Sequence, residues 1–556
     1  MKNRFHLTTK AMCAICYAAF SIFILIFFIS GIQIIRTQEI DYDAAYNGQV
    51  ALRYLNEGVY GIYYPSPATF PNIITTGQTV ILPTILLYHL FGVRMITTGL
   101  IPLLYSTSSL IILFFLLRLS FSSAKIPTIL STLFPVFIVI LMPGSDYLFL
   151  SVSTQLWGES ASLFYTILAC LLLAVSLRVK HTLIPLLFSG MALMSALISK
   201  TSAICIVIVF LLCLFLGSLL FRKFSLLSLP VCLLGCGAGF FLWESIKCIQ
   251  LNGWRNVFQW WMNERLNAKA QTATESLFGT ISPELIKERF LWVSQFLFEK
   301  PPFMTFLLLT LPFFGVILLF LLRKRHIESA VTILPMVVLG LSGVSLPIYY
   351  VFFGNVGLRY PRRQEAYVFL SLFFAFYIVS FLIKAFFTTC KTVTGFHRDL
   401  CVSGLTLCFV FLASNLMHTT VVENYSDWFK PKTLSDEAYN MLMCAETVRQ
   451  LSEDVVIFTH DYYQMPQISL LSNRQFVPFM SMEHPTDQSA YFLTGTEESP
   501  EGYDSYLDWL TQFYDTQTIF QYPRKENDVF TETGNIYYLT PKKSKNGQIV
   551  YHHTRV

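Results

Sequence analysis

Eleven long apolar stretches dominate the sequence and limit what it can fold into. They lie at 11–34, 95–117, 126–142, 159–177, 182–199, 203–221, 226–248, 302–322, 330–352, 366–387 and 400–420. A helix needs about 20 apolar residues to cross a hydrocarbon core of roughly 30 Å, and these stretches are close to that length. Charged residues make up only 13% of the chain, against about 25% in a soluble globular protein. The sequence therefore predicts a polytopic α-helical membrane protein with about 11 transmembrane helices.

The basic residues of the short loops predict the orientation of these helices. Lys and Arg concentrate on the cytoplasmic side of a membrane protein, and the basic loops here share one side only if the stretch 78–92 does not cross. That stretch has about fifteen residues and contains Pro83, which is typical of an interfacial or re-entrant helix. The N-terminus is then inside. The first external loop 36–94, the long loop 249–301 and the C-terminal tail are outside.

The charge changes sign along the chain and divides it into two predicted domains. Residues 1–420 carry 29 Lys and Arg against 15 Asp and Glu, whereas residues 421–556 carry 10 against 19. The first part is the membrane domain, and the second has the composition of a soluble protein. Helical and strand-like segments alternate in 421–556, which predicts a small α/β domain outside the cytoplasm. It contains no glycine-rich phosphate loop, and we assign it no catalysis.

An acid pair follows the first apolar stretch directly. Asp41 and Asp43 lie at the start of the first external loop, and carboxylates at a membrane surface are costly unless they face water, a cation or a partner. Either could act as a general base on a hydroxyl group. Together they could bind Mg²⁺ or Mn²⁺. Alternatively, Asp41 only caps the helix that follows it.

The residues after the first stretch resemble a known family, the membrane-embedded GT-C glycosyltransferases. The branch most similar contains bacterial protein mannosyltransferase-like and lipid A aminoarabinose transferase-like enzymes. The likeness rests on the acid pair, the segment 44–58, Tyr63-Tyr64-Pro65, the segment 75–83 and Phe91-Gly92. The resemblance implies juxtamembrane helices in the first external loop, an acid motif on one of them, and a catalytic domain covering residues 1–420.

Polar groups at other external corners extend the resemblance. Glu159 opens the fourth stretch, where the family often has a second acid, although a first-turn Glu is also ordinary in helices. Lys200 lies between two stretches, where it could pair with a lipid phosphate or extend to the headgroups. Arg359 and Tyr360 begin the run Arg359-Tyr360-Pro361-Arg362-Arg363. External arginines indicate an anionic partner, either a donor phosphate or outer-leaflet headgroups.

The resemblance implies an inverting glycosyltransferase that takes a sugar from a polyprenyl-phosphate carrier. Asp41 and Asp43 would be catalytic, and the substrate would be bound by Arg359, Tyr360, Lys200, Glu159, Tyr63 and Tyr64. The acceptor would be a hydroxyl group at the outer face of a bacterial cell membrane. Metal dependence is open on this interpretation: Asp41 and Asp43 could hold Mg²⁺ or Mn²⁺, whereas phosphate-binding Arg and Lys could make a cation unnecessary. Membrane lipids are the other expected partners, and nucleic acid is excluded.

Two other functions remain open on the sequence. A polytopic transporter would have internal repeats and polar residues at the bilayer midplane. Here the polar residues lie at the ends of the apolar stretches, and we find no repeat. A polysaccharide polymerase or ligase would also handle lipid-linked glycans, but would depend on large external loops with Arg and His. A catalytically silent protein with the same fold is a third alternative.

Overall fold

The computed structural model describes most of the chain. The described residues are 2–63, 68–71, 76–121, 130–144, 149–179, 182–220, 227–271, 282–325, 327–354, 361–389, 423, 425–428, 430, 432–459, 465–478, 489–493, 511–526 and 529–542. The predicted eleventh stretch, 400–420, and the predicted domain boundary at 420/421 lie outside these residues. Both stay predictions.

Helices form most of the described part. They are α1 (Lys2–Thr37), α2 (Tyr42–Glu57), α3 (Gln78–Phe91), α4 (Met95–Phe121), α5 (Leu130–Gly144), α6 (Phe149–Thr154), α7 (Gly158–Ser176), α8 (Leu183–Ser199), α9 (Ile204–Leu220), α10 (Ser228–Gln250), α11 (Trp254–Gln271), α12 (Pro283–Trp292), α13 (Pro302–Arg325), α14 (Ile327–Phe353), α15 (Glu365–Thr389), α16 (Asp436–Gln450) and α17 (Met465–Ser472). The strands are β1 (Gly61–Ile62), β2 (Ala68–Thr69), β3 (Val456–Thr459), β4 (Phe476–Pro478), β5 (Ala490–Leu493), β6 (Tyr514–Glu526) and β7 (Val529–Pro541).

Six helices among the described residues are long and apolar enough to cross a membrane. They include Ala11–Thr37, Met95–Phe121 and Gly158–Ser176, and the total is seven if the pair Pro283–Leu297 and Pro302–Ile317, bent by 95°, forms one span. Three shorter apolar helices include Gln78–Phe91. That helix has 14 residues, fewer than a span requires. The chain is therefore a mostly helical multi-pass membrane protein, and the count of eleven and the N-in/C-out topology stay predictions.

The chain divides into two compact units. Unit 1 contains residues 1–32, 75–80 and 102–431, and unit 2 contains 33–74, 81–101 and 432–556. Within unit 1, small residues let helices approach closely, as is usual between helices in a membrane. A Cβ added to Gly190 of α8 would collide with the Cys232 carbonyl of α10, and one added to Gly235 of α10 would collide with the Leu187 carbonyl of α8.

Unit 2 combines the first-loop helix α2 with a five-stranded sheet in the order β4-β3-β5-β7-β6. Strand β3 pairs in parallel with β4 and β5, whereas β7 pairs antiparallel with β5 and β6. The hydrophobic core on the sheet includes Phe458, Phe492 and Leu539, all buried. Helix α16 begins at the cap residue Ser435, whose hydroxyl accepts a hydrogen bond from the Ala438 N–H.

Candidate active site

Asp41 and Asp43 lie at the start of α2, the helix that follows α1. Asp41 is the N-cap, in extended backbone conformation, and its Oδ1 accepts a hydrogen bond from the Asp43 N–H at 2.9 Å. Asp43 lies in the first turn, where the positive end of the helix dipole stabilises a carboxylate. Both side chains are partly exposed. The capping alternative for Asp41 is thus realised, and a catalytic role for either carboxylate stays a prediction.

Helix α2 is held in unit 2 by two glutamine side chains. Gln49 Nε2 donates to the Pro466 carbonyl at 3.1 Å, and Gln467 Nε2 donates to the Ile40 carbonyl at 3.1 Å. Gly48 allows the close approach of Leu470, since a Cβ at this position would meet the leucine side chain. These contacts place the start of α2, where both carboxylates lie, on helix α17 of the C-terminal segment.

Tyr63, a predicted substrate-binding residue, is buried. Its side chain and backbone together are only 6% exposed, and its ring lies 5.4 Å from the Arg53 guanidinium carbon. Burial, followed by a hydrogen bond with Glu57, raises the pKa of Tyr63 to about 12. Arg53 also donates to the Ile62 and Ala68 carbonyls at 2.7 and 3.1 Å. Tyr64, the second predicted tyrosine, lies outside the described residues.

In unit 1, Glu159 and Lys200 form a buried ion pair. Lys200 Nζ lies 2.8 Å from Glu159 Oε1, and the two side chains are 16% and 3% exposed. Glu159 is in the first turn of α7, and Lys200 ends α8. Gly158 permits this meeting, because a Cβ there would collide with the Ser199 carbonyl. Glu159 Oε2 is buried and has no hydrogen-bond partner within the described ranges.

The basic corner of unit 1 packs beside this pair. The guanidinium carbon of Arg362 lies 4.9 Å from the centroid of the Trp157 ring, and Trp157 is the cap residue of α7, two positions before Glu159. The Tyr367 hydroxyl bonds to the Ser202 hydroxyl at 3.1 Å, just past Lys200. Arg359 and Tyr360 lie outside the described residues, directly before the turn Pro361–Arg363.

Each unit therefore contains part of the predicted site. Asp41, Asp43 and Tyr63 belong to unit 2, whereas Glu159 and Lys200 belong to unit 1 with the corner at Arg362. The structure brings Glu159 together with Lys200. A single pocket shared by the acid pair and the basic corner stays a prediction.

A second buried charge cluster in unit 1 was not predicted. Lys247 Nζ lies 2.9 Å from Glu244 Oε1 and 3.9 Å from the centroid of the Trp260 ring. Trp261 Nε1 donates to Glu244 Oε2 at 2.9 Å. These contacts fix the aromatic helix α11 of the long loop on α10. The sequence contained a signal for this cluster, since Glu244 and Lys247 lie inside the apolar stretch 226–248. Charged residues inside such a stretch need partners within the protein.

Metal ligands are few in the part of the chain that the structure describes. No group of three or more His, Cys, Asp or Glu side chains there could hold a metal ion. Asp41 and Asp43 offer two carboxylates, and one oxygen of Asp41 already caps α2. Mg²⁺ is commonly bound by one or two carboxylates completed by water and substrate phosphate. The acid pair therefore fits a metal only when the substrate supplies further ligands.

The fold and these groups define a class: a multi-pass helical membrane protein with a short acid-bearing helix after its first span and buried charge pairs at helix ends. Two solved structures of ArnT from Cupriavidus metallidurans, an aminoarabinose transferase of the GT-C superfamily, are similar to the chain. The structure bound to undecaprenyl phosphate has a TM-score of 0.54 at 10% identity, and the match covers 94% of this chain and 97% of that chain. The apo structure has a TM-score of 0.50 with the same identity and coverage.

This likeness confirms the predicted GT-C resemblance for the fold. At 10% sequence identity it concerns the fold alone. No protein-family model matches the sequence, and no curated protein matches it.

Proposed function

We propose that the protein is an inverting glycosyltransferase that moves a sugar from a polyprenyl-phosphate carrier to an acceptor hydroxyl group at the outer face of the membrane. The observation that supports this most is the likeness to ArnT over nearly the full length of both chains. That neighbour was solved with undecaprenyl phosphate. The acid pair on α2 and the cationic corner of unit 1 supply the two kinds of group that such a reaction needs.

The reaction is a single displacement at the anomeric carbon of the sugar. The acceptor oxygen attacks this carbon, the bond to the phosphate oxygen breaks, and the electron pair leaves with the polyprenyl phosphate. The proton of the acceptor hydroxyl goes to a carboxylate of the acid pair. Either Asp41 or Asp43 is the base in this proposal, since both carboxylates lie at the start of α2 and are partly exposed. Attack opposite to the leaving group inverts the configuration.

The leaving phosphate requires positive charge, and unit 1 supplies it in this proposal. Arg359 is the primary ligand, since a guanidinium matches phosphate oxygens with two parallel hydrogen bonds, and Tyr360 lies next to it in sequence. Lys200 assists. Its ammonium group has three hydrogen-bond donors, and the bond to Glu159 uses one of them. Glu159 thus acts as a positioning residue that keeps Lys200 in place.

A divalent cation would be held by Asp41 and Asp43 and would supply charge stabilisation of the phosphate. The site is expected outside the cytoplasm, in a bacterial cell membrane, with the C-terminal segment on the same side. Tyr63 stays a predicted substrate-binding residue of the first loop, where its ring lies 5.4 Å from the Arg53 guanidinium carbon.

The proposal is tested by following consumption of the lipid-linked donor. Membranes from cells that make wild type, Asp41→Asn, Asp43→Asn or the control Asp454→Asn are matched for expression. Polyprenyl-phosphate sugars and free polyprenyl phosphate are then quantified by mass spectrometry over time. Asp454 is exposed in the same unit. A general base contributes about 10²- to 10⁴-fold. We expect a loss of that order in at least one of Asp41→Asn and Asp43→Asn, and no loss in Asp454→Asn.

The same experiment identifies the sugar, because the species that disappears is the donor. The proposed chemistry is wrong if donor is consumed at the wild-type rate in both Asp41→Asn and Asp43→Asn. Transport without transfer would move the intact lipid-linked sugar and release no polyprenyl phosphate, so that result would instead favour a transporter.

A further inference from the structure

A cavity within unit 2 is lined by an unusual number of arginines. Its volume is about 320 Å³, and its lining includes Arg36, Arg94, Arg449 and Glu446 together with apolar side chains. The volume is at the lower end of that of small-molecule sites, roughly 300 to 1,000 Å³. Three cations and one carboxylate give the lining a net charge of +2. A cavity of this charge favours an anionic ligand.

Two of the three arginines are available to such a ligand. Arg449 donates to Glu446 at 2.6 Å and to the Leu471 carbonyl at 2.5 Å, so its charge is compensated within the protein. Within the portion of the chain described, the side chains of Arg36 and Arg94 make no hydrogen bond or ion pair. Each guanidinium offers a fork of donors that matches a phosphate or a carboxylate.

The cavity lies where membrane-crossing helices end. Arg36 is in the last turn of α1, and Met95, another lining residue, begins α4. Both Ala11–Thr37 and Met95–Phe121 are long and apolar enough to cross a membrane. The end of one such helix and the start of another therefore place the cavity at the depth of the lipid headgroups.

Exposed apolar side chains precede the cavity in sequence. Leu90 and Phe91, at the end of the short helix α3, are 59% and 58% exposed, and Val93, two residues later, lines the cavity. Apolar side chains exposed beside cationic ones at headgroup depth are typical of contact with an amphiphile. A solute without an apolar part would leave these side chains uncovered.

We propose that this cavity binds the phosphate group of an anionic amphiphile, with the phosphate on Arg36 and Arg94 and the apolar part beside Leu90 and Phe91. The cavity lining contains none of the residues proposed to act in glycosyl transfer, and the proposal does not depend on that reaction. The same phosphate chemistry is present in a membrane phospholipid and in a free phosphate ester, and the test distinguishes these two sources.

The test uses full-length purified protein in a neutral detergent. It is titrated with phosphatidylglycerol, with phosphatidylcholine or with inorganic phosphate, and bound lipid is counted by native mass spectrometry while the unfolding temperature is recorded. The variant Arg36→Gln/Arg94→Gln removes both available cations. The matched control Arg255→Gln/Lys287→Gln removes two exposed cations from the long loop, outside the cavity.

We expect wild type and control to bind phosphatidylglycerol more tightly than phosphatidylcholine, and the cavity variant to bind it about tenfold more weakly, which corresponds to the loss of one or two charge-assisted hydrogen bonds. Because these arginines are exposed, added salt should weaken binding in wild type. Displacement of the lipid by millimolar inorganic phosphate, lost in the cavity variant, would support the same site with a soluble phosphate ester as its ligand.

Equal binding of phosphatidylglycerol by wild type and by the cavity variant would overturn the proposal, as would equal binding of the two phospholipids by wild type. If Arg36→Gln/Arg94→Gln does not fold, the variant Arg36→Lys/Arg94→Lys is measured in its place. It keeps the charge but not the guanidinium fork, so binding should fall by a smaller factor and the unfolding temperature without lipid should not change.

Discussion

The ion pair between Glu159 and Lys200 permits a prediction that separates stability from function. Their side chains are 3% and 16% exposed, and removal of one partner from a buried pair costs about 3–5 kcal/mol because the other charge is left uncompensated. Replacement of both by apolar residues is often close to neutral. We therefore expect Glu159→Leu to be strongly destabilising, and Glu159→Leu/Lys200→Met to recover most of the lost stability.

The size of the effect can be refined from the structure. Lys200 keeps some contact with water, so Glu159→Leu should fall at the lower end of the range, near 3 kcal/mol. Glu159 is nearly fully buried, so Lys200→Met should cost as much or more. The coupling free energy of the double-mutant cycle should then be about 2 kcal/mol or more. The exposed pair Asp427 and Lys430, with side chains 58% and 63% exposed, is the control, with an expected coupling below about 1 kcal/mol.

The assay is equilibrium unfolding of the purified variants in mixed detergent, with donor consumption measured in parallel. A purely structural Lys200 predicts that the stable double variant regains turnover. A Lys200 that binds phosphate predicts that the double variant is folded but consumes donor slowly. Coupling no larger than that of the control pair would refute the reasoning from burial.

Three further predictions follow from single contacts. Asp41→Asn should keep the helix cap and the stability of the protein, whereas Asp41→Ala should lose about 1 kcal/mol, measured by unfolding; equal stability of the two variants would contradict the observed cap. Gly158→Ala should destabilise the protein by about 1–3 kcal/mol, because the added Cβ would collide with the Ser199 carbonyl. The control Gly237→Ala has open space around it and should not destabilise the protein. Thermal unfolding of the two variants checks this, and equal unfolding temperatures would contradict it. Lys247→Met should leave the buried Glu244 carboxylate without its cation and remove the cation–π contact with Trp260. The hold of α10 on α11 should then weaken, which faster tryptic cleavage within α11 would detect and an unchanged cleavage pattern would refute.

Short-range features were predictable from the sequence. The prediction that 78–92 does not span agrees with a helix of only 14 residues at Gln78–Phe91, and it came from loop charge and from length. The predicted stretch 95–117 corresponds to Met95–Phe121. The C-terminal segment contains both strands, such as Val456–Thr459 and Ala490–Leu493, and helices, such as Asp436–Gln450, in agreement with the predicted alternation. In each case the signal is local, because apolar periodicity and chain length act within one element.

Long-range contacts were not predictable in this way. The helix Met465–Ser472 was missed because it has only 8 residues, although Pro466 in its first turn is a common start signal. The cavity in unit 2 is lined by Arg36, Arg94 and Arg449. Apolar periodicity acts within one element, so it cannot predict that residues so far apart in the sequence lie close together. The pairing of Glu159 with Lys200 was also not predicted, because each residue alone has an ordinary explanation at a helix end.

The two glutamine contacts of α2 have a consequence for the order of synthesis. Gln49 and its partner Pro466 are 417 residues apart in the chain. At roughly 5–20 residues per second, the ribosome needs about 20–80 s to make the partner after it has made the helix. During this interval the segment that carries Asp41 and Asp43 lacks its hydrogen bonds to Pro466 and Gln467. These contacts can therefore form only in about the last sixth of translation, once residue 466 of 556 has been made. A chain that ended before this point would contain every predicted catalytic group but would lack the helix on which α2 packs.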